Sequence, residues 1–283
     1  MPTQPVVRVI IVNYNAGYLL AACVGRVAAS TVQVDIVVVD NASTDDSLAR
    51  LRSMLPSPIR LSIHENAANL GFSRANNQAL RDWEGEYALL LNPDCMIEPD
   101  TIEGMLAVMS KAPSAGMSGC LIHNSDGSEQ AGCRRLTPTP GRALKRMFGS
   151  GDFDLAGTAL PDSPVTVDAI SGAFMLVRRA ALAEVGLLDE DYFMHCEDLD
   201  WCYRFRQAGW QILFMPLLSV CHIKGACSTS NRFAVEWHKH RGMLRYYHKF
   251  FRASHPLLLL WLVSLAVWLR FCVKVLALCL RRS

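Results

Sequence analysis

The chain has 283 residues, 51% of them hydrophobic, and a formal net charge of +2 at pH 7. This length predicts one large domain or one domain with an appendage, and so small a charge gives no reason to expect nucleic acid as a partner. The ten cysteines include no C-x-x-C pair, which indicates reduced thiols in a cytosolic setting rather than a disulfide or zinc framework. The apolar run at 6–12 is shorter than a secretory signal and has no basic region before it.

The first part of the chain alternates strand-like and helix-like patterns four times. The predicted strands are 6–12, 34–39, 59–63 and 87–91. The predicted helices are 18–29, a segment capped by Ser43 or Thr44, 73–83 and 99–111. This alternation predicts an α/β fold with a doubly wound parallel sheet. The first strand is followed by neither a G-x-G-x-x-G fingerprint nor a Walker A loop, which argues against an NAD enzyme and a P-loop NTPase.

Polar residues follow each of these predicted strands. They are Asn13, Asp40, Glu65, Asn66, Asn92 and Asp94. Because the carboxyl ends of parallel strands meet at one edge of a sheet, we expect a ligand to bind there. Pro93 ends the fourth strand, and the carboxylate of Asp94 is then a natural ligand for Mg²⁺ bound together with substrate phosphates. The alternative is that Asp94 only caps the helix that starts near Pro99.

The pattern changes after Gly116. Segment 116–122 is a candidate strand, and 124–162, rich in Gly, Pro and Ser with interspersed basic residues, is predicted to be a long loop or flap. The predicted elements that follow are a strand within 167–178, helices 180–185 and 199–208, and a strand at 211–215.

Three acids lie at the start of the helix predicted at 199–208. Asp200 and Arg204 are four residues apart, so we expect them to form an ion pair and Asp200 to be structural. Glu197 and Asp198 are candidates for a general base, a group that accepts a proton during a reaction. Acids also cap helices, and this is the alternative for both residues.

Several stretches, in order along roughly 6–230, together resemble a known family. They are Ile11-Val12-Asn13-Tyr14-Asn15, Val38-Val39-Asp40-Asn41-Ala42-Ser43, Asn69-Leu70-Gly71-Phe72 through Asn77, Leu91-Asn92-Pro93-Asp94, Ser171-Gly172-Ala173 through Arg179, Glu197-Asp198-Leu199-Asp200 and Val220-Cys221-His222. In this set the chain resembles the inverting family-2 glycosyltransferases, and particularly their bacterial rhamnosyltransferase-like branch. The resemblance implies the GT-A fold, a Rossmann-like and mostly parallel sheet, over residues 1–232.

The resemblance also implies roles for individual residues. Asp94 and His222 would hold a divalent cation, Mg²⁺ or Mn²⁺, and Asp198 would be the general base with Glu197 as the second candidate. Asn92 stands where many relatives carry the first acid of an Asp-x-Asp motif, which leaves one carboxylate fewer for the metal. An isolated histidine such as His222 is more often a buried or surface residue with a satisfied hydrogen bond.

A nucleotide-diphospho-sugar donor needs partners at the ends of the first strands. Asp40 can accept a hydrogen bond from N3–H of uracil or thymine, and Asn13 can contact the base or the ribose. Asn41, Asn77, Asn92 and Gly172 are further candidates for substrate binding. For the Asn and Asp residues, ordinary turn chemistry is the alternative.

These features lead to one preferred function and two alternatives. The preferred one is transfer of a sugar, best L-rhamnose from dTDP-rhamnose, to a lipid-linked saccharide acceptor in cell-envelope polysaccharide synthesis. The first alternative is a catalytically silent subunit that binds a nucleotide sugar within a synthase complex. The second, a nucleotidyltransferase, is disfavoured because Asn13-Tyr14-Asn15 occupies the place of its expected Gly-rich basic loop.

The segment 233–283 forms a separate tail. Residues 237–252 are dense in basic and aromatic side chains and could attract anionic lipid head groups or an acceptor's pyrophosphate, or form a solvated face. Residues 257–269 are almost wholly apolar, and Arg270, Lys274 and Arg281 fall within about 40° on a helix. Because this run is shorter than the ~20 residues of a spanning helix, we expect a helix in the interface at the cytoplasmic face of the inner or plasma membrane. A single tilted span and an oligomer-forming helix are the alternatives.

Overall fold

The structure is a computed structural model that describes residues 7–54, 60–147, 153–223 and 232–280. The strands are β1 Val7–Asn13, β2 Val34–Asp40, β3 Leu61–Glu65, β4 Tyr87–Leu91, β5 Cys95–Met96, β6 Ala115–His123, β7 Arg134–Arg135, β8 Val165–Thr166, β9 Ala169–Ile170, β10 Phe174–Arg178 and β11 Gln211–His222. The helices are α1 Tyr18–Ala28, α2 Ser47–Met54, α3 Phe72–Arg81, α4 Thr101–Lys111, α5 Pro140–Met147, α6 Arg179–Val185, α7 Glu197–Gln207, α8 Arg232–Phe251 and α9 Leu257–Leu280.

The first half of the chain forms the parallel part of the main sheet. Strands β3, β2, β1 and β4 lie in that order and are parallel. The centres of β1, β2 and β4 are continuous β-branched or leucine runs, whereas the edge strand β3 alternates apolar and polar residues. The side chains of β4 are buried on both faces of the sheet. The prediction of a strand–helix alternation is therefore confirmed here. The part of the predicted third strand at position 59 lies outside the described residues.

The second half adds strands of mixed direction to the same sheet. Strand β10 lies antiparallel between β4 and β6, and β6 pairs parallel with β11. The short strand β5, directly after β4, pairs antiparallel with the end of β11, with His222 opposite Cys95. This arrangement brings the corner after β4 against the last residue of β11.

Two predicted boundaries in this half were wrong. The strand predicted at 211–215 continues to His222, with a register shift between Met215 and Ser219. Pro216 lies in that shift, where a bulge accommodates a residue that cannot donate to the ladder. The helix predicted from 199 begins two residues earlier, at Glu197, so both candidate bases are in its first turn.

The predicted flap at 124–162 contains ordered elements within its described residues. Strand β7 pairs with β9 in a small second sheet, and helix α5 follows. Residues 148–152 of this region lie outside the described part of the chain.

The tail forms two helices that pack against each other and against the sheet domain. Tyr246, Tyr247 and Phe251 of α8 are buried, and the Tyr246 and Phe251 rings pack around Tyr203 of α7.

Helix α9 extends over 24 residues, well beyond the predicted apolar core of 257–269. Within the described residues, it is the one helix long and apolar enough to cross a membrane. Arg281 of the predicted basic stripe lies outside the described residues.

Candidate active site

The side chains of Asp94 and His222 meet where β5 pairs with β11. His222 Nε2 lies 3.0 Å from Asp94 Oδ1, and both residues are buried. On its other side, His222 Nδ1 donates to Gln130 Oε1 at 2.6 Å, while Gln130 Nε2 donates to Asn124 Oδ1. This hydrogen bond fixes the tautomer, so a neutral imidazole points its Nε2 lone pair at the carboxylate.

This pair fits a divalent cation. Among the described residues, Asp94 Oδ1 accepts no hydrogen bond although it is buried, because the short approach of Nε2 lacks the geometry of one. In the neutral form of His222, the Nε2 lone pair and the Asp94 carboxylate face each other, and a cation between them would stabilise both. Two neighbouring ligands of an octahedral ion at 2.0–2.1 Å lie about 3 Å apart, which matches the observed separation.

Cys95 is the third member of this cluster, but its thiol is turned away. Ligand atoms of Asp94, Cys95 and His222 all lie within 4.8 Å of one another. Cys95 Sγ donates to the carbonyl of Ala173 at 3.5 Å, and burial, reinforced by the charge of Asp94, raises the pKa of the thiol well above its ordinary value. A protonated thiol is a poor ligand for a hard cation, so Asp94 and His222 are the better ligand candidates.

Asn13 and Asp40 form a buried pair at the ends of β1 and β2. Asn13 Nδ2 donates to Asp40 Oδ1 at 2.6 Å and also to the hydroxyls of Ser43 and Ser47. Asp40 Oδ1 accepts a second hydrogen bond from the Ser43 hydroxyl, and Oδ2 accepts one from the Ser43 amide at 3.0 Å. The pair is thus held rigidly, and Oδ2 keeps room for a further donor.

The other predicted asparagines brace loops at the same edge. Asn41 Nδ2 donates to the Gly71 carbonyl at 3.2 Å and joins the end of β2 to the start of α3. Asn77 bonds the backbone of Leu188 in both directions, at 2.9 and 3.1 Å. Asn92 is half-buried, and its backbone amide donates to the Ala173 carbonyl at 2.9 Å.

Asp198 is held by three donors from different parts of the chain. Arg135 Nη2 lies 2.5 Å from Asp198 Oδ2, and the Gly172 amide donates to the same oxygen at 3.3 Å. The Leu199 amide donates to Oδ1 at 2.8 Å. The guanidinium and the two backbone amides together fix the direction of the Asp198 carboxylate.

Glu197, the neighbouring acid, has the opposite environment. It is buried, and among the described residues its Oε2 has no hydrogen-bond partner. Burial, reinforced by the negative charge of Asp198, raises the pKa of Glu197 to about 8. Glu197 is therefore protonated at neutral pH, which leaves Asp198 as the candidate proton acceptor of the two.

Sequence reasoning identified Asp200 correctly and missed two residues of the flap. Asp200 pairs with Arg204 at 2.7 Å, as predicted from their spacing. Gln130 and Arg135 were not singled out, because their partners are distant in sequence. The composition of the Gly- and Pro-rich segment showed that Arg135 was one of several basic residues there, but it did not indicate a partner for it.

The two halves of the site meet at the turn 171–173. Gly172 contacts Asp198, and Ala173 contacts both Asn92 and Cys95. A short backbone segment therefore links the cation cluster to the carboxylate of Asp198. The structure brings these predicted residues together, whereas Asn77 lies apart, against the loop that follows α6.

We predict that Asp94→Asn and His222→Gln each weaken binding of Mn²⁺ at least tenfold, because each removes one of two protein ligands. Gln130→Leu should weaken it by roughly 10–100-fold through loss of the tautomer-fixing hydrogen bond. Isothermal titration calorimetry with MnCl₂ measures the affinity of each variant. The control is Asp126→Asn, which changes an exposed acid of the flap. Unchanged affinity in the Asp94 and His222 variants would contradict the assignment.

We also predict a pH-dependent gain in stability for Glu197→Gln. The folded-state pKa of Glu197, raised to about 8, lies above its ordinary value of 4.5. The contribution of Glu197 to the stability of the fold is therefore present below about pH 4.5 and is lost as pH rises to about 8. Glutamine does not ionise, so the melting temperature of the variant should exceed that of the wild type by several degrees more at pH 8 than at pH 5. Thermal unfolding at both pH values measures this, with exposed Glu84→Gln as the control. A difference that does not change with pH would show that Glu197 titrates normally.

The chain is similar to proteins of known activity along most of its length. It is 29% identical over 245 residues to N-acetylglucosaminyl-diphospho-decaprenol L-rhamnosyltransferase of Mycobacterium tuberculosis. The match covers 77% of this chain and 76% of that protein. It is 29% identical to rhamnosyltransferase WbbL of Escherichia coli over 163 residues, 54% of this chain and 60% of WbbL.

A solved structure and a family model complete the comparison. The mannosyltransferase PcManGT from Pyrobaculum calidifontis, solved with GDP-Man and Mn²⁺, superposes with a TM-score of 0.63 at 18% identity. The superposition covers 94% of this chain and 69% of that one, and it shows that the two share a fold. The family model for glycosyl transferase family 2 matches residues 8–186, more than half of the chain. The chain belongs to glycosyl transferase family 2.

Proposed function

We propose that the protein is an inverting, metal-dependent glycosyltransferase that moves L-rhamnose from dTDP-rhamnose to a lipid-linked saccharide acceptor in cell-envelope polysaccharide synthesis. The observation that carries the proposal is the Asp198 carboxylate, held by Arg135 and Gly172, together with the Asp94–His222 pair on the other side of the turn 171–173. The choice of sugar and acceptor rests on the mycobacterial and E. coli relatives, which are named as rhamnosyltransferases.

Asp94 and His222 are the residues that would hold Mg²⁺ or Mn²⁺. When bound, the cation neutralises charge that grows on the nucleotide diphosphate as it leaves. Around it the chain supplies a buried and rigid setting, because Gln130 orients the imidazole and the β5–β11 pairing fixes both backbones.

Asp198 acts as the general base. The acceptor hydroxyl gives its proton to Asp198 as its oxygen bonds to the anomeric carbon, and the bond from that carbon to the nucleotide diphosphate breaks. Because the acceptor attacks directly from the opposite side, the anomeric configuration inverts. A positioned base contributes roughly 10²–10⁴ to the rate. Glu197, protonated at neutral pH, leaves this role to its neighbour.

The polar residues at the ends of β1, β2 and β4 bind the donor. Asp40 Oδ2 accepts N3–H of the thymine base, and Asn13, which fixes the Asp40 carboxylate, lies next to it. Asn41, Asn77 and Asn92 shape the surrounding loops through the backbone contacts described above. Gly172 lies directly against the general base, since a Cβ there would be in van der Waals contact with Asp198 Cβ at 3.5 Å.

Helix α9 holds the protein at the cytoplasmic face of the membrane by lying in the interface. Its buried side chains are Leu260, Val263, Ala266 and Val267, and its exposed apolar ones include Leu258, Trp261, Leu262, Leu265 and Leu276. On its packed side, Trp268 and Phe271 contact Trp237 of α8, a helix that carries several charged residues. A transmembrane position would draw that part of α8 into the hydrocarbon, whereas an interfacial position leaves it in water.

We predict that Asp198→Asn lowers turnover of the donor at least 100-fold without changing its binding, because the amide cannot accept the proton. The assay follows release of nucleotide diphosphate by the detergent-purified protein, with UDP-, GDP- and dTDP-sugars, a decaprenyl-type acceptor and Mg²⁺ or Mn²⁺. Asp200→Asn, at the structural acid two residues away, is the matched comparison for stability. Donor binding without turnover in the wild type would favour the silent-subunit alternative, and absence of binding would exclude both functions.

We predict that the double variant Trp261→Ser and Leu265→Ser weakens membrane binding at least tenfold. Each exposed apolar side chain that enters the interface contributes roughly 1.5–3 kcal/mol when fully buried. Flotation with vesicles of phosphatidylethanolamine and phosphatidylglycerol measures the bound fraction. Leu217→Ser, which changes an equally exposed leucine of β11, should bind as the wild type does. If the double variant floats normally but loses a dimer seen by light scattering, α9 is an oligomer contact instead.

A further inference from the structure

We infer that α8 is a positioning element of the active site, because it clamps the backbone turn that precedes Glu197 and Asp198. The inference rests on the proposed function of Asp198 as the base. It assigns to the basic and aromatic part of the tail a role that is separate from membrane binding by α9.

The turn before α7 has an unfavourable backbone conformation. His195 and Cys196 have φ values of 65° and 71°, in the left-handed region that residues other than glycine rarely adopt. Such residues persist only where the surrounding structure holds them. Because Glu197 and Asp198 follow directly, the direction of both carboxylates depends on this turn.

Helix α8 packs directly on this turn through a glycine. A Cβ placed on Gly242 would lie 2.8 Å from the His195 carbonyl oxygen and 3.3 Å from Cys196 Cβ. Nearby, the Cys196 thiol reaches the carbonyl of Lys239 at 3.9 Å. Helix α8 therefore lies so close to the turn that only glycine fits at position 242.

Further contacts between α8 and this region lie on both sides of the turn. His238 stacks on Phe193 with 4.4 Å between the ring centroids. Lys249 Nζ lies 2.6 Å from a carboxylate oxygen of Asp189, before the turn, and 2.6 Å from one of Asp200, after it. Arg245 also pairs with Asp189 at 2.9 Å.

The opposite side of the same loop is held by α3. The Phe72 amide donates to the Phe193 carbonyl at 2.7 Å, and Gly71 lies against the same carbonyl with no room for a Cβ. The loop is thus enclosed between α3, at the donor-binding edge, and α8. Displacement of α8 would release the strained turn and with it the aim of Asp198.

The test compares two helical glycines. Gly242→Ala places a methyl group against the His195 carbonyl, whereas Gly25→Ala in α1 enters open space, with nothing within 4 Å of the new Cβ. Alanine is the better helix former in both helices, so propensity alone would stabilise both variants. We expect Gly242→Ala to lower kcat at least tenfold with the donor KM within twofold of wild type, and Gly25→Ala to leave both unchanged.

Hydrogen–deuterium exchange gives a second readout that does not depend on activity. The Asp200 amide, which donates to the Cys196 carbonyl at 2.9 Å, and its neighbours should exchange at least tenfold faster in Gly242→Ala but not in Gly25→Ala. If Gly242→Ala does not fold, His238→Ala removes the stack on Phe193 without adding atoms, and should change exchange and kcat in the same directions by a smaller factor.

The outcomes separate this inference from the proposed function. Wild-type exchange in Gly242→Ala, or faster exchange with unchanged kcat, would overturn the positioning role of α8 and leave the transferase proposal standing. A wild-type protein that turns over no donor would overturn the transferase proposal. The exchange comparison would still decide whether α8 holds the turn.

Discussion

One backbone hydrogen bond, from the Asn92 amide to the Ala173 carbonyl at 2.9 Å, joins the two halves of the active site. It exists because β10 runs antiparallel beside β4, so the start of β10 meets the end of β4. On one side of this contact Asp94 follows Asn92. On the other side Gly172 precedes Ala173 and donates to Asp198. The insertion of one reversed strand into a parallel sheet thus fixes the candidate cation ligands relative to Asp198, the proposed base.

The buried and half-buried acids of the site differ in how the cost of removing their charge from water is offset. Asp40 receives hydrogen bonds from Asn13 and Ser43, and the half-buried Asp198 pairs with the half-buried Arg135. Oε2 of Glu197 has no hydrogen-bond partner among the described residues, and burial raises the pKa of Glu197 to about 8. Among the described residues, Asp94 Oδ1 accepts no hydrogen bond and faces His222 Nε2 at 3.0 Å, and a buried carboxylate without full compensation is costly. Its position opposite a histidine lone pair is explained if a cation belongs to the folded protein.

The sequence could predict the elements that depend on local patterns, but not the partners that depend on topology. Strands β1, β2 and β4 were predicted because continuous burial leaves a recognisable apolar run, and the Asp200–Arg204 pair because it spans one helical turn. The association of Asp94 with His222 required the family resemblance. Arg135 was missed because it lies 63 residues from Asp198, brought there by a two-residue strand without periodicity.

The partners of the basic residues in the tail could not be predicted from the sequence either. From sequence, Arg245 and Lys249 could face lipid head groups, an acceptor or water. In the structure they pair with Asp189 and Asp200, acids 49 to 60 residues away, so their charge is directed toward the start of α7 and the loop before it. The outer side of α9 instead carries the apolar surface. If that surface lies on the membrane, α8 stands between the lipid and the base, and a lipid-linked acceptor would enter beside the helix that aims Asp198.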